Sequence, residues 1–247
     1  MPQAEQPAVL FLHGVRASHK IWDAQVAATQ AAGYQALAID LPGHGVNALA
    51  DRPRRAHSAG DNAGRFSLSA AFDAIDVALQ VLNRPTILVG HSLGGYTALA
   101  YAATHPDAPL VGIVAAGCAT DPKGKPVGAY RGMAAVANAG FHHTAHAWRR
   151  LRHTEEPEPG PSWQLVTDAL RELAGHSTMA DIRQITVPIW FINGSHDHLK
   201  LQHKLFAASA RDGASVIIPE AGHDVNTDQP DAFNKVMLRA LAEFAAR

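Results

Sequence analysis

Residues 86–104 read TILVGHSLGGYTALAYAAT, and the reading of this stretch decides the fold. An apolar run, residues 86–89, is followed by Gly90-His91-Ser92-Leu93-Gly94 and then by a helical stretch, Leu93–Thr104. This is G-x-S-x-G with a strand before it and a helix behind it, the context in which the pattern carries chemistry. A serine held on a sharp strand-to-helix turn sits in strained backbone, so its neighbours must be small, and Gly90 and Gly94 supply that space. The turn lifts the Ser92 hydroxyl above the sheet. It also sets the following amides at a helix N-terminus, where developing negative charge is stabilised. A chance glycine-rich turn is the bland alternative, and the matching elements on both sides argue against it.

Outward from this turn, short apolar runs alternate with amphipathic stretches. Strands are expected at Ala8–Leu12 and at residues 35–39, 86–89, 110–115, 187–192 and 215–218. Most are continuously apolar, as expected where both faces of a strand are covered. Helices are expected at residues 19–32, 67–82, Leu93–Thr104, 199–210 and Pro230–Ala245. In the last, Phe233, Val236, Met237, Ala240, Leu241 and Phe244 recur at i, i+3, i+4 spacing and mark one buried face. Such alternation implies a parallel sheet with right-handed crossovers, an α/β fold. Two segments break it. Residues 46–66, rich in Arg, Gly, Asp and Asn, read as a long loop. Residues 119–181 are far longer than one crossover needs, and read as an insertion over the sheet with helical pieces at 131–150 and 163–173.

The totals narrow the function class. The chain has 247 residues, 47% of them hydrophobic, enough for a substantial core. Lys and Arg number 21 against 22 Asp and Glu, so no global charge draws it to nucleic acid or membrane. Arg149, Arg150 and Arg152 are followed at once by Glu155, Glu156 and Glu158, a solvated mixed-charge face. The one cysteine, Cys118, permits no intrachain disulfide. The N-terminus lacks a signal-peptide pattern, and no apolar run approaches membrane-helix length. A soluble, cytoplasmic protein without membrane or nucleic-acid partner is the expectation.

With these motifs in place, nearly the whole chain resembles the serine-nucleophile branch of the α/β-hydrolase superfamily. Leu12-His13-Gly14-Val15 follows the first strand, where family members carry an H-G motif, and Asp40-Leu41-Pro42-Gly43-His44-Gly45 matches another recurrent segment. The resemblance implies an oxyanion hole from the backbone N–H groups of Val15 and Leu93. It also implies a triad in the order Ser92, Asp197, His223, the acid in Asn193-Gly194-Ser195-His196-Asp197 and the histidine in Ala221-Gly222-His223. Asp121, just past residues 110–115, is a rival acid, because some members use that position. Plain alternatives stay open: Asp197 as a turn residue, His223 as a surface histidine.

Many relatives begin with an antiparallel hairpin. Here the first strand starts by Ala8, similar to the methylesterase and hydroxynitrile-lyase group. The expectation is therefore a six-stranded, wholly parallel sheet with residues 35–39 at an edge, in a monomer or an edge-paired homodimer. The core spans 1–118 and 182–247, with a helical cap at 119–181. Tyr130, Phe141, Trp148 and Trp163, with Met133, are candidates to line a substrate pocket or to form the cap's own core. His13 is read as bracing its loop and is carried with them as a candidate pocket residue. His142, His143 and His146 raise a metal site, but no acidic or cysteine partner sits nearby in sequence, so none is assigned. Neither G-x-G-x-x-G nor a P-loop occurs, so no cofactor is implied.

The resemblance points to a carboxylic ester hydrolase acting on a small-molecule substrate. Ser92 sets it apart from haloalkane dehalogenases and epoxide hydrolases, which carry aspartate there. C–C bond hydrolases, thioesterases, lactonases, cofactor-free perhydrolases and hydroxynitrile lyases share the triad and stay open, as does a non-catalytic ligand receptor.

Overall fold

The computed structural model describes residues 6–47, 66–122 and 163–247. Six strands, β1 (Ala8–Leu12), β2 (Ala36–Ile39), β3 (Thr86–His91), β4 (Leu110–Ala116), β5 (Ile189–Gly194) and β6 (Gly213–Ile218), form one sheet in the order β2-β1-β3-β4-β5-β6. All five pairings are parallel. Residues 35–39 were expected at an edge, and β2 is one.

Alternation along the strands assigns the two faces. Leu10, Leu12, Leu88, Ile113, Ala115 and Phe191 pack on one side with α2 (Leu68–Leu82), α3 (Leu93–Thr104) and α6 (His203–Ser209). Val9, Phe11, Ile87, Val89, Val114 and Ile192 face the other, against α1 (Asp23–Ala31) and α8 (Pro230–Ala245). α8 buries Phe233, Met237, Ala240, Leu241 and Phe244, the stripe its periodicity requires, while Val236 stays half-buried. Trp22 fills the gap between Phe11 and Phe233, with ring centroids 5.2 and 6.0 Å away.

The first turn of the 19–32 stretch is a 3-10 turn, His19–Trp22, before α1. A contact from the loop after β2 holds this turn: the His19 N–H donates to the Asp40 carboxylate at 2.6 Å. α4 (Trp163–Leu173) and the short α5 (Met179–Ile182) follow the undescribed residues 123–162, and α7 (Val225–Asp228) precedes α8. α4 packs on α2 and α3, and Glu172 accepts the Leu68 N–H at the start of α2. No helix among the described residues is long and apolar enough to cross a membrane.

The order places a switch point beside the serine. The crossover from β1 to β2 runs through α1 on one face, and that from β3 to β4 runs through α3 on the other. The carboxyl ends of β1 and β3, in register at Leu12 and Gly90, therefore flank a crevice, where open α/β sheets bind ligands.

Candidate active site

Ser92 stands at the carboxyl end of β3 and caps α3 with φ +49°. That left-handed backbone is strained for a residue with a side chain. It is held by the Ser92 N–H donating to the Ala116 carbonyl at 2.8 Å. The flanking glycines are required sterically: a methyl on Gly90 would overlap the Gly94 carbonyl, and one on Gly94 would overlap the Leu12 carbonyl.

Two loops bring partners to this hydroxyl. His223 follows β6 and its Nε2 lies 3.0 Å from Ser92 Oγ. Its Nδ1 lies 3.0 Å from Oδ1 of Asp197, in the turn after β5. The Asp197 side chain is fully buried. Its Oδ1 also accepts the Leu199 N–H at 2.8 Å, which fixes the carboxylate toward the ring. The loop carrying His223 is closed by Asp228, whose carboxylate accepts the Gly222 N–H at 2.7 Å. The carboxylate that reaches His223 Nδ1 is that of Asp197, while the backbone N–H of Asp121 donates to Gln202 Oε1 at 2.6 Å. Asp224 turns away from the serine, its Oδ1 3.7 Å from His91 Nε2 and its side chain 69% exposed.

Val15 and Leu93 both line the same cavity as Ser92, and among the described residues neither backbone N–H donates to a protein acceptor. The cavity encloses about 360 Å³. Its roof is one face of α4, Val166, Ala169, Leu170 and Leu173 at helical spacing, joined by Leu199 and Ile21. Asn226 and Thr227 add polar edges beside His223.

His13 is corrected as a pocket residue. It is fully buried and does not border the cavity. Its Nδ1 donates to the Gly14 carbonyl at 2.7 Å, and its Nε2 accepts the Leu41 N–H at 2.9 Å, tying the β1 loop to the β2 loop. Burial pushes its pKa down to about 4, which keeps Nε2 free to accept. Burial likewise lowers His44, whose Nδ1 bonds the Pro42 carbonyl at 2.9 Å. Burial alone would raise the Asp40 carboxyl. The N–H groups of Val46 and His19 and the His19 ring outweigh it and hold Asp40 below the usual range. Tyr130, Met133, Phe141, Trp148 and the His142, His143 and His146 cluster lie outside the described residues. Trp163 begins α4, and its side chain is outside them too.

Three residues at the site went unnoticed in the sequence as neighbours of the triad candidates. His91, buried beside Ser92, donates from Nε2 to the His223 carbonyl at 2.9 Å and holds its ring 5.0 Å from that of His223. Burial, and then the nearby His223, lowers it to about 4. His198 borders the cavity with its ring 5.0 Å from His223, and burial followed by His223 lowers it as well. Arg16, next to Val15, is the third. The run His196-Asp197-His198 hinted at a second ring beside the acid. Nothing local foretold that His91 would brace a loop 132 residues away.

Among the described residues one group has metal-ligand chemistry, Asp197, His198 and His223, whose ligating atoms lie within 4.8 Å of one another. Two of these are already bonded to each other, so an ion there would compete with the Asp197–His223 bond.

Comparison with known proteins agrees with the architecture. Residues 9–236 match the model of the alpha/beta hydrolase family. An esterase of Mycobacterium tuberculosis is 25% identical over 95% of this chain and 83% of its own length. The pimeloyl-[acyl-carrier protein] methyl ester esterase of Neisseria meningitidis is 31% identical over 80% of this chain and 77% of its own. A thermophilic esterase from Thermogutta terrifontis superposes with a TM-score of 0.71 at 20% identity, over 98% of this chain and 91% of that one, which speaks to the fold. A six-stranded parallel sheet, a strained serine at its switch point and a family match over most of the sequence make this chain a member of the alpha/beta hydrolase family, and a hydrolase.

Proposed function

We propose that this hydrolase cleaves carboxylic esters of small or medium substrates through an acyl-enzyme, with Ser92 as nucleophile, His223 as base and acid, and Asp197 as the partner that orients it. The observation that carries the reading is the unbroken line from Ser92 Oγ through both His223 nitrogens to Asp197 Oδ1, with 3.0 Å at each step, opening on the cavity. His223 takes the Ser92 proton as Oγ attacks the ester carbonyl, and Asp197 stabilises the imidazolium. The oxygen that gains charge is received by the N–H groups of Val15 and Leu93, each such donor being worth roughly 2.7–4 kcal/mol. His223 then protonates the leaving alcohol. A water enters, gives its proton to His223 and attacks the acyl carbon, and Ser92 is released with the carboxylic acid. No step needs a cofactor.

The cavity volume lies at the small end of ligand sites, which suits a short or medium acyl group against the apolar face of α4. Residues 119–181, to which α4 belongs, are proposed as the cap that sets specificity. The ester cleavage named for two relatives agrees with this reading.

The test is hydrolysis of p-nitrophenyl esters from acetate to palmitate, wild type beside Ser92→Ala. The expected result is turnover that falls by at least ~10⁴-fold in the variant, with an optimum among the shorter chains. A folded wild type inactive on the whole series would overturn the esterase reading in favour of C–C cleavage, lyase chemistry or ligand reception.

A further inference from the structure

Asp197 is held by a chain of hydrogen bonds that runs back to the helix behind Ser92. Its Oδ1 accepts the Leu199 N–H at 2.8 Å and faces His223 Nδ1, while Oδ2 has no hydrogen-bond partner among the described residues. The Leu199 N–H therefore sets how the buried carboxylate meets the ring. Leu199 lies between β5 and α6, outside any helix or strand, so its backbone groups must find partners elsewhere. Its carbonyl accepts the Thr120 hydroxyl at 2.7 Å.

Thr120 is buried and follows β4. Its neighbours grip the same loop beside that bond: the Gln202 N–H donates to the Ala119 carbonyl at 3.0 Å, and Gln202 Oε1 accepts the Asp121 N–H at 2.6 Å. Thr120 is fixed in turn from α3. Its carbonyl accepts the Tyr96 hydroxyl at 2.6 Å, and the Tyr96 N–H donates to the Ser92 carbonyl at 3.0 Å. Burial pushes Tyr96 well above its ordinary pKa, so this hydroxyl stays protonated and donates. From this continuous path we infer that Thr120 is a positioning residue for the reaction, its hydroxyl aligning the loop of Asp197 so that the acid, His223 and Ser92 stay in line. The inference rests on the triad reading and deepens it. The loop after β4 was the alternative seat for the acid, at Asp121; here it buttresses the acid that follows β5. Valine at 120 keeps the outline of the side chain and removes the donor, which frees the Leu199 backbone to turn its N–H away from Oδ1. Serine keeps the donor.

The experiment takes two readouts from wild type, Thr120→Val and Thr120→Ser. One is kcat and KM on p-nitrophenyl butyrate. The other is the second-order rate at which a fluorophosphonate labels Ser92, fluoride leaving as the P–O bond forms and His223 taking the serine proton; it needs no ester turnover. Thr120→Val is expected to lower kcat and the labelling rate by about 10-fold with KM held within about twofold, and Thr120→Ser to stay within about threefold of wild type. Repeating Thr120→Val in an Asp197→Asn background separates positioning from general support. The effect should shrink below about twofold there, because the carboxylate it acts through is gone. An undiminished 10-fold loss in that background, or wild-type rates in Thr120→Val, overturns the inference. If Thr120→Val melts below the assay temperature, Tyr96→Phe removes the bond to the Thr120 carbonyl and carries the same comparison. A folded wild type that the fluorophosphonate leaves unlabelled would sink the triad reading and this inference with it. Labelling at equal rates in wild type and Thr120→Val sinks the inference alone.

Discussion

His13 and His91 are kept neutral by burial, and lowering the pH tests whether the scaffold around the serine depends on them. Each has a folded value near 4 against an ordinary 6.5. As pH falls below 6.5 the unfolded chain takes up a proton at each position and the native state does not. Stability contributed by the neutral rings is therefore complete above 6.5 and is lost between 6.5 and 4. At pH 5 the loss is about 2 kcal/mol for each ring. Two rings remove about 4 kcal/mol, a large share of the roughly 5–15 kcal/mol that holds a domain together. His44, lowered by burial, adds in the same direction. Asp40 does not interfere, because its depressed carboxyl loses stability only as pH falls through the carboxylate range, below this window. Urea denaturation at pH 7 and pH 5 is the assay. With a slope of about 2–3 kcal/mol per molar, the midpoint should drop by roughly 1–2 M. In His13→Leu the pH-dependent part should shrink by about half. Equal midpoints at the two pH values in the wild type would refute the reasoning, since no neutral buried ring would then be resisting protonation.

Other consequences are as direct. Asp197→Asn should cost about 10⁴-fold in kcat by disturbing the tautomer and orientation of His223, whereas Asp121→Asn should cost little; kinetics giving the opposite ranking would move the acid to Asp121. Gly90→Ala places a methyl into the Gly94 carbonyl, and a thermal melt should show a loss of about 3 kcal/mol or more, the upper end of overpacking. Phe244→Ala empties a buried position between α8 and the sheet and should cost about 3–5 kcal/mol in urea melts while leaving kcat/KM intact, because it lies away from the cavity.

The sequence made most of the scaffold legible because a parallel sheet buries both faces of its strands, so runs such as residues 110–115 stand out as unbroken apolar segments. Boundaries slipped where backbone chemistry overrode pattern. The run at 187–192 forms a strand only from Ile189 onward, after Pro188. The helix expected at 199–210 begins at His203, because the preceding residues are held as a turn: the Leu199 N–H goes to Asp197 and the Gln202 N–H to the Ala119 carbonyl. Ser92, Asp197 and His223 could be named because each follows a recognisable strand. The contribution of His91 could not, since its partner is a backbone carbonyl, which leaves no trace in residue identity.

Position in the sheet accounts for why strain and polarity collect in one place. Helix α1 leaves β1 on one face and α3 leaves β3 on the other, so the ends of β1 and β3 are the neighbouring pair that no single crossover joins. The crevice exists whatever the residues are. The residues decide what faces it: both positive-φ side chains bordering the cavity, Arg16 and Ser92, belong to the loops that leave those two strands. Their conformations persist because rigid neighbours fix them. His13 and the Gly14 carbonyl hold the first loop, and the Ala116 carbonyl and close-packed glycines hold the second. Relaxing either loop would cost the buried hydrogen bonds behind it. A strained serine held beside the β1 loop is therefore a consequence of the core, and loosening that core by acid should weaken hydrolase activity, read as a fall in kcat, before circular dichroism shows the sheet unfolding.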